Sequence, residues 1–116
     1  MAFGRGSTDR PVPRVYQMVA TAYTAGEEST GKRPGDPGYG VTASGVRATA
    51  GRTVAVDPEV ISLGEWLYIE GIGLRRAEDT GGMIRGERID LFVDDVELAR
   101  RFGIQTVRVW RLGPML

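Results

Sequence analysis

Short runs of β-branched and aromatic residues, each cut off by glycine or proline, leave this chain few ways to fold except as many short strands joined by tight turns. Seventeen glycines and six prolines among 116 residues supply those turns. The expected class is mainly β, a barrel or a sandwich, and the length suits one domain with a single core. Strands are expected over Arg14–Thr24, Gly51–Val56, Glu65–Glu70, Gly73–Ala77, Arg88–Val93 and Gln105–Leu112. The last alternates, with Val107 and Val109 on one side and Arg108 and Trp110 on the other. One short helix is expected near the C-terminus, starting at Asp94 with Glu97 as its capping-box partner and ending at Gly103. Arg100 and Arg101 in its last turn suit the helix dipole. Ala25 to Gly40 reads as a long loop, and loops of that length in small domains are often functional. Residues 1–13, rich in Gly, Arg and Pro, read as a flexible leader or linker, which leaves 14–116 as the folded domain.

Charge and composition narrow the chemistry. Lys plus Arg equals Asp plus Glu at 15 each, so no net field draws in nucleic acid, while a neutral or zwitterionic polysaccharide stays compatible. There is no cysteine and therefore no disulfide. There is no histidine either, which removes the commonest general base and any Ser-His or Cys-His nucleophile. Acid-base work near neutral pH falls to Asp or Glu, with Tyr and the only lysine, Lys32, as weaker candidates. No cofactor is implied. No apolar stretch approaches the roughly 20 residues of a membrane span, and the N-terminus lacks a signal-peptide core. The chain is expected to be cytoplasmic or a domain of a longer exported protein.

Three acid-containing motifs stand out: Ala-Val-Asp57-Pro, Glu-Asp79-Thr-Gly-Gly and Arg-Ile-Asp90-Leu-Phe. Asp90 interrupts an apolar run whose strand would bury both faces, so its carboxylate must be hydrogen-bonded, neutralised or turned to a cleft. Asp79 precedes two glycines that permit close backbone approach. Two acids brought together can hold one proton between them, the starting state of a general acid. Asp57 before proline reads as a structural cap.

Taken in order, these motifs resemble the three-aspartate ("3D") domain family. Val-Ala-Val-Asp57-Pro, Ile61-Ser-Leu-Gly64, Leu-Tyr-Ile-Glu70-Gly, Asp79-Thr-Gly-Gly with Ile84-Arg-Gly86, and Arg88-Ile-Asp90-Leu-Phe92 carry the likeness. Thr21-Ala-Tyr23-Thr24 and Thr42-Ala-Ser44-Gly45 look like its opening motifs. The resemblance implies a six-stranded double-psi β-barrel, similar to the catalytic part of the A-type membrane-bound lytic transglycosylases. Those enzymes cleave the MurNAc–GlcNAc β-1,4 bond of peptidoglycan and leave a 1,6-anhydro-MurNAc end. It also implies Asp90 as the essential acid with Asp79 beside it, and a setting outside the cell, in the wall or spore envelope.

On that reading Asp90 donates a proton to the glycosidic oxygen, then deprotonates the muramoyl C6 hydroxyl that attacks C1. Its raised pKa is expected from burial against Ile89, Leu91 and Phe92 and from an ionised Asp79. Backbone N–H groups at Gly81 and Gly82 are candidate donors to the substrate. Tyr23, Thr24, Thr42 and Ser44 are candidate sugar contacts, and Trp66 a stacking surface. A non-catalytic peptidoglycan-binding module on the same barrel is the alternative. Asp-Thr-Gly also marks aspartic proteases, but there it follows an apolar strand, whereas Arg75-Arg76-Ala77-Glu78 precedes it here. A three-carboxylate site for a divalent metal would need strand positions that converge.

Overall fold

The computed structural model describes residues 15–115. The leader assigned to residues 1–13 lies outside them. The described elements run β1 (Val15–Tyr23), α1 (Glu27–Thr30), β2 (Thr53–Val56), β3 (Trp66–Ile69), β4 (Gly73–Asp79), β5 (Arg88–Phe92), α2 (Val96–Phe102) and β6 (Gln105–Gly113). All six expected strands are present, within two residues at each end.

The strands hydrogen-bond in a closed ring, in the order β1, β5, β2, β4, β3, β6 and back to β1. Two neighbouring pairs are parallel, β1 with β5 and β2 with β4, and the other four are antiparallel. Closure leaves no unpaired edge, which a domain this small could otherwise cover only with more chain. The period-2 pattern sets what lies inside. Met18 and Ala20 of β1, Val54 and Val56 of β2, Leu67 and Ile69 of β3, Ala77 of β4, Ile89 and Leu91 of β5, and Val107 and Val109 of β6 converge in one core with Ile61.

Two details depart from the sequence reading. The C-terminal helix is capped by Asp95, not Asp94: the Asp95 carboxylate accepts from the Glu97 N–H at 3.1 Å, and Asp94 stays exposed. At its other end Gly103, at φ 64°, closes the helix as expected. The long loop after β1 also contains an unforeseen helical turn, α1, closed by Gly31 at φ 75°. Past it the loop is tied to β2 by the Thr49 N–H, which donates to Thr53 Oγ1 at 2.9 Å, and all four residues of that strand are buried.

Leu67 is fully buried inside the ring. Leu67→Ala should cost about 2–5 kcal/mol, the range for large-to-small core substitutions, and lower the urea midpoint accordingly. An unchanged midpoint would show that the interior is not the close-packed core drawn here.

Candidate active site

Alternation that sends Ile89 and Leu91 inward sends Asp90 outward. The expectation that Ile89 and Leu91 bury its carboxyl is therefore corrected, because both face the opposite side of the strand. Asp90 instead lies in a row crossing four strands: Thr21 on β1, Asp90 on β5, Ala55 on β2 and Asp79 on β4 are register partners in succession.

Asp79 reaches that row through an irregularity. Val54 pairs with Ala77, yet Ala55 pairs with Asp79, so Glu78 is an extra residue on β4. Such a bulge reverses the facing of everything after it. Without it Glu78 would sit beside Ala55 and Asp79 would point into the core. The displaced Glu78 is buried, accepts from Thr53 Oγ1 at 2.6 Å and pairs with Arg52 at 2.8 Å. Its carbonyl takes the Ser44 N–H at 3.0 Å, which ties the loop to the bulge.

The two aspartates are two strands apart, roughly 10 Å between backbones. No hydrogen bond joins their carboxyls, and each has its own partners. Asp79 accepts from the Tyr23 hydroxyl at 2.7 Å, the Ala43 N–H at 2.9 Å and the Thr80 N–H at 2.9 Å. Asp90 accepts from Thr21 Oγ1 at 2.9 Å. Burial raises the Asp90 pKa above the ordinary carboxyl value, against the lowering effects of the Thr21 hydrogen bond and the Arg88 charge; the Asp79 charge adds a smaller push upward. Tyr23 keeps its proton: burial, the hydrogen bond to Asp79 and the charge of Asp79 all push its pKa well above the usual phenol range. Its ring meets Phe92 edge-on, with centroids 5.4 Å apart. Tyr23, Phe92 and Asp79 line a recess of about 50 Å³, roofed by the loop at Lys32, Gly38, Gly40 and Val41.

The other sequence candidates separate from this site. Thr24 is buried, and its hydroxyl is spent on Glu28 and on the Gly26 N–H at 2.9 Å, so it secures α1. Thr42 is buried too, bonded to Ser44 Oγ at 2.9 Å and the Val46 carbonyl at 2.8 Å. Ser44 faces a different hollow, with Glu78 and Arg76. Gly81 and Gly82 form an exposed turn, in which the Ile84 N–H donates to the Gly81 carbonyl at 3.0 Å, and they do not line the recess. Trp66 already lies under the Arg76 guanidinium, 5.8 Å from the ring centre.

The Asp57 carboxylate bonds to backbone N–H groups. It accepts from the Glu59 N–H at 3.0 Å and the Gly86 N–H at 2.8 Å, which hold its carboxyl below the usual range and tie the turn after β2 to the start of β5. No three carboxylates are close enough to hold a metal ion among the described residues.

Sequence reasoning missed Thr21, the donor to Asp90, and Ala55, the small residue between the acids. The cross-strand register that makes both relevant is not written in local sequence. Thr21 does stand two residues before Tyr23, and period-2 spacing puts both on one face.

The 3D domain family model matches residues 52–113. The cell wall-binding protein YocH of Bacillus subtilis is 41% identical over 95 residues, spanning 79% of this chain and 30% of that protein. Among solved structures, the lytic transglycosylase LtgG of Burkholderia pseudomallei superimposes with a TM-score of 0.55 at 31% identity, over 66% of this chain and 27% of that one. E. coli MltA with bound chitohexaose gives a TM-score of 0.53 at 26% identity, over 61% and 26%. The chain thus spans less than a third of the length of each of these proteins.

A carboxyl whose folded pKa exceeds its unfolded value of about 3.9 leaves folding unpenalised below that value. Stability is then lost as pH rises through the folded pKa. Asp90→Asn, which keeps the Thr21 hydrogen bond, should match the wild type in urea unfolding at pH 3 and exceed it at pH 8. Equal stability at both pH values would mean that Asp90 is not desolvated.

Proposed function

Because the chain belongs to the 3D domain family, we propose that it is a glycan-cleaving domain acting on bacterial peptidoglycan. In this reading it is a lytic transglycosylase that breaks the MurNAc–GlcNAc β-1,4 bond. The observation that carries the proposal is Asp90: a half-buried carboxyl with raised proton affinity, on the same face of the ring as Tyr23, Phe92 and Asp79. The two parallel pairs, each made by strands distant in sequence, support reading the ring as a double-psi barrel. Likeness to LtgG and MltA supports the activity.

The chemistry needs one acid. Protonated Asp90 donates to the bridging oxygen as the C1–O bond breaks, and the leaving GlcNAc carries away that proton. The Asp90 carboxylate then takes the proton of the muramoyl C6 hydroxyl, whose oxygen bonds to C1 and closes the 1,6-anhydro ring. Asp90 ends protonated, as it began. Thr21 holds the carboxylate form in place, and the negative charge of Asp79 favours positive charge developing at C1. Tyr23 fixes Asp79 and exchanges no proton. The site of action is outside the cell, in the wall or spore envelope.

A second reading has its own support. The recess is about 50 Å³, well below the ~300–1,000 Å³ of ordinary ligand pockets, so it admits a substituent and not a sugar ring. A glycan must then lie along its mouth, as it would on a binding module, and YocH is a cell wall-binding protein.

Mass spectrometry of digested peptidoglycan separates these readings. Wild-type protein should release anhydro-muropeptides, and Asp90→Asn should lower the rate by about 10²–10⁴-fold while remaining folded. Reducing-end products would mean hydrolysis. No release by either protein, with polymer binding intact, would establish the binding module.

Thr21→Val removes the hydrogen bond that favours ionised Asp90. It should therefore move the alkaline limb of the pH–rate profile to higher pH. A limb that stays in place would show that a different acid controls the rate.

A further inference from the structure

The geometry points to Lys32 as a specificity-determining residue that binds a carboxylate carried by the glycan strand. This rests on the peptidoglycan reading above. Lys32 follows Gly31, whose left-handed conformation (φ 75°) turns the chain out of α1. Its side chain then reaches across Gly38. A Cβ on Gly38 would lie 2.8 Å from Lys32 Nζ and would push the ammonium from its present place, and Gly38 is itself at φ 78°, which favours glycine. Lys32, Gly38 and Gly40 form one wall of the recess that has Asp79 and Tyr23 on the other.

Among the described residues Lys32 forms no ion pair, whereas neighbouring Arg33 is taken by Glu27. A second unpaired cation stands close by: the Arg47 guanidinium is 3.1 Å from where a Gly40 Cβ would be. Asp79, the carboxylate of the recess, already accepts three hydrogen bonds. The three donors of Lys32 are thus available to a ligand, and an ammonium without a carboxylate partner favours an anionic one. A glycan at the mouth of the recess offers a carboxylate in two places, the lactyl group of muramic acid or the peptide attached to it.

The test is binding of defined strands to the Asp90→Asn protein, which does not turn them over, with and without Lys32→Gln. Three probes are compared: denuded strands with free lactyl carboxylates, the same strands amidated at the lactyl group, and strands bearing peptides. Lys32→Gln should weaken binding about tenfold for a carboxylate-bearing strand and leave the amidated strand unchanged, with Lys32→Arg restoring most of the loss. Loss confined to denuded strands identifies the lactyl carboxylate; loss confined to peptide-bearing strands identifies a peptide carboxylate. Equal loss on the amidated strand, or no loss while binding persists, overturns the role of Lys32. Failure of all three strands to bind even with Lys32 present overturns the peptidoglycan reading itself.

Discussion

One extra residue on β4 governs where the carboxylates of this protein lie, because a strand has only two faces and a single insertion exchanges them. With Glu78 accommodated as a bulge, Ala77 fills the core, Glu78 is held by Thr53 and Arg52, and Asp79 emerges beside Ala55. The loop before β2 depends on the same irregularity, since Ser44 bonds to the Glu78 carbonyl and Ala43 to the Asp79 carboxylate. The ion pair that buries Glu78 is best understood as the restraint on this bulge and not as a source of stability. Desolvating a charge costs about as much as such a pair returns.

Asp90 is balanced differently. Burial favours its neutral form, while Thr21 and Arg88 favour the charged one. In the proposed single-acid reaction, a carboxyl governed by burial alone would hold its proton too firmly to act as a base in the second half. One governed by hydrogen bonds and cations alone would have no proton to give in the first. The opposition of the two is what a single-acid mechanism requires. A carboxyl with raised proton affinity also lowers stability once it is ionised.

Much of this was legible in the sequence because it depends on local pattern. Alternation located all six strands, Gly103 marked the end of α2, and the apolar surroundings of Asp90 singled it out before any fold was known. Asp57-Pro58 was readable as a cap for the same reason. What escaped depends on register. Nothing in Arg-Arg-Ala-Glu-Asp announces that Glu78 is the inserted residue, and nothing in Thr-Ala-Tyr-Thr says that Thr21 faces Asp90 while Thr24 turns into its own loop. The hydroxyls of Thr42 and Ser44 bond to each other, as threonine and serine in turns commonly do.

The polarity of the two faces bears on the proposed substrate. Inside the ring the side chains that converge in the core are apolar. The outer face carries Thr21, Asp90 and Asp79 in line across β1, β5, β2 and β4. A row of side chains across strands spaced about 4.8 Å apart suits an extended polymer lying along it better than a compact ligand. The loop adds what the strands cannot, a cation on a backbone cleared by glycine. Under the proposed reading the strands fix Asp90 and its tuning, while the loop, tied to the bulge through Ser44 and Ala43, supplies the facing wall of the recess.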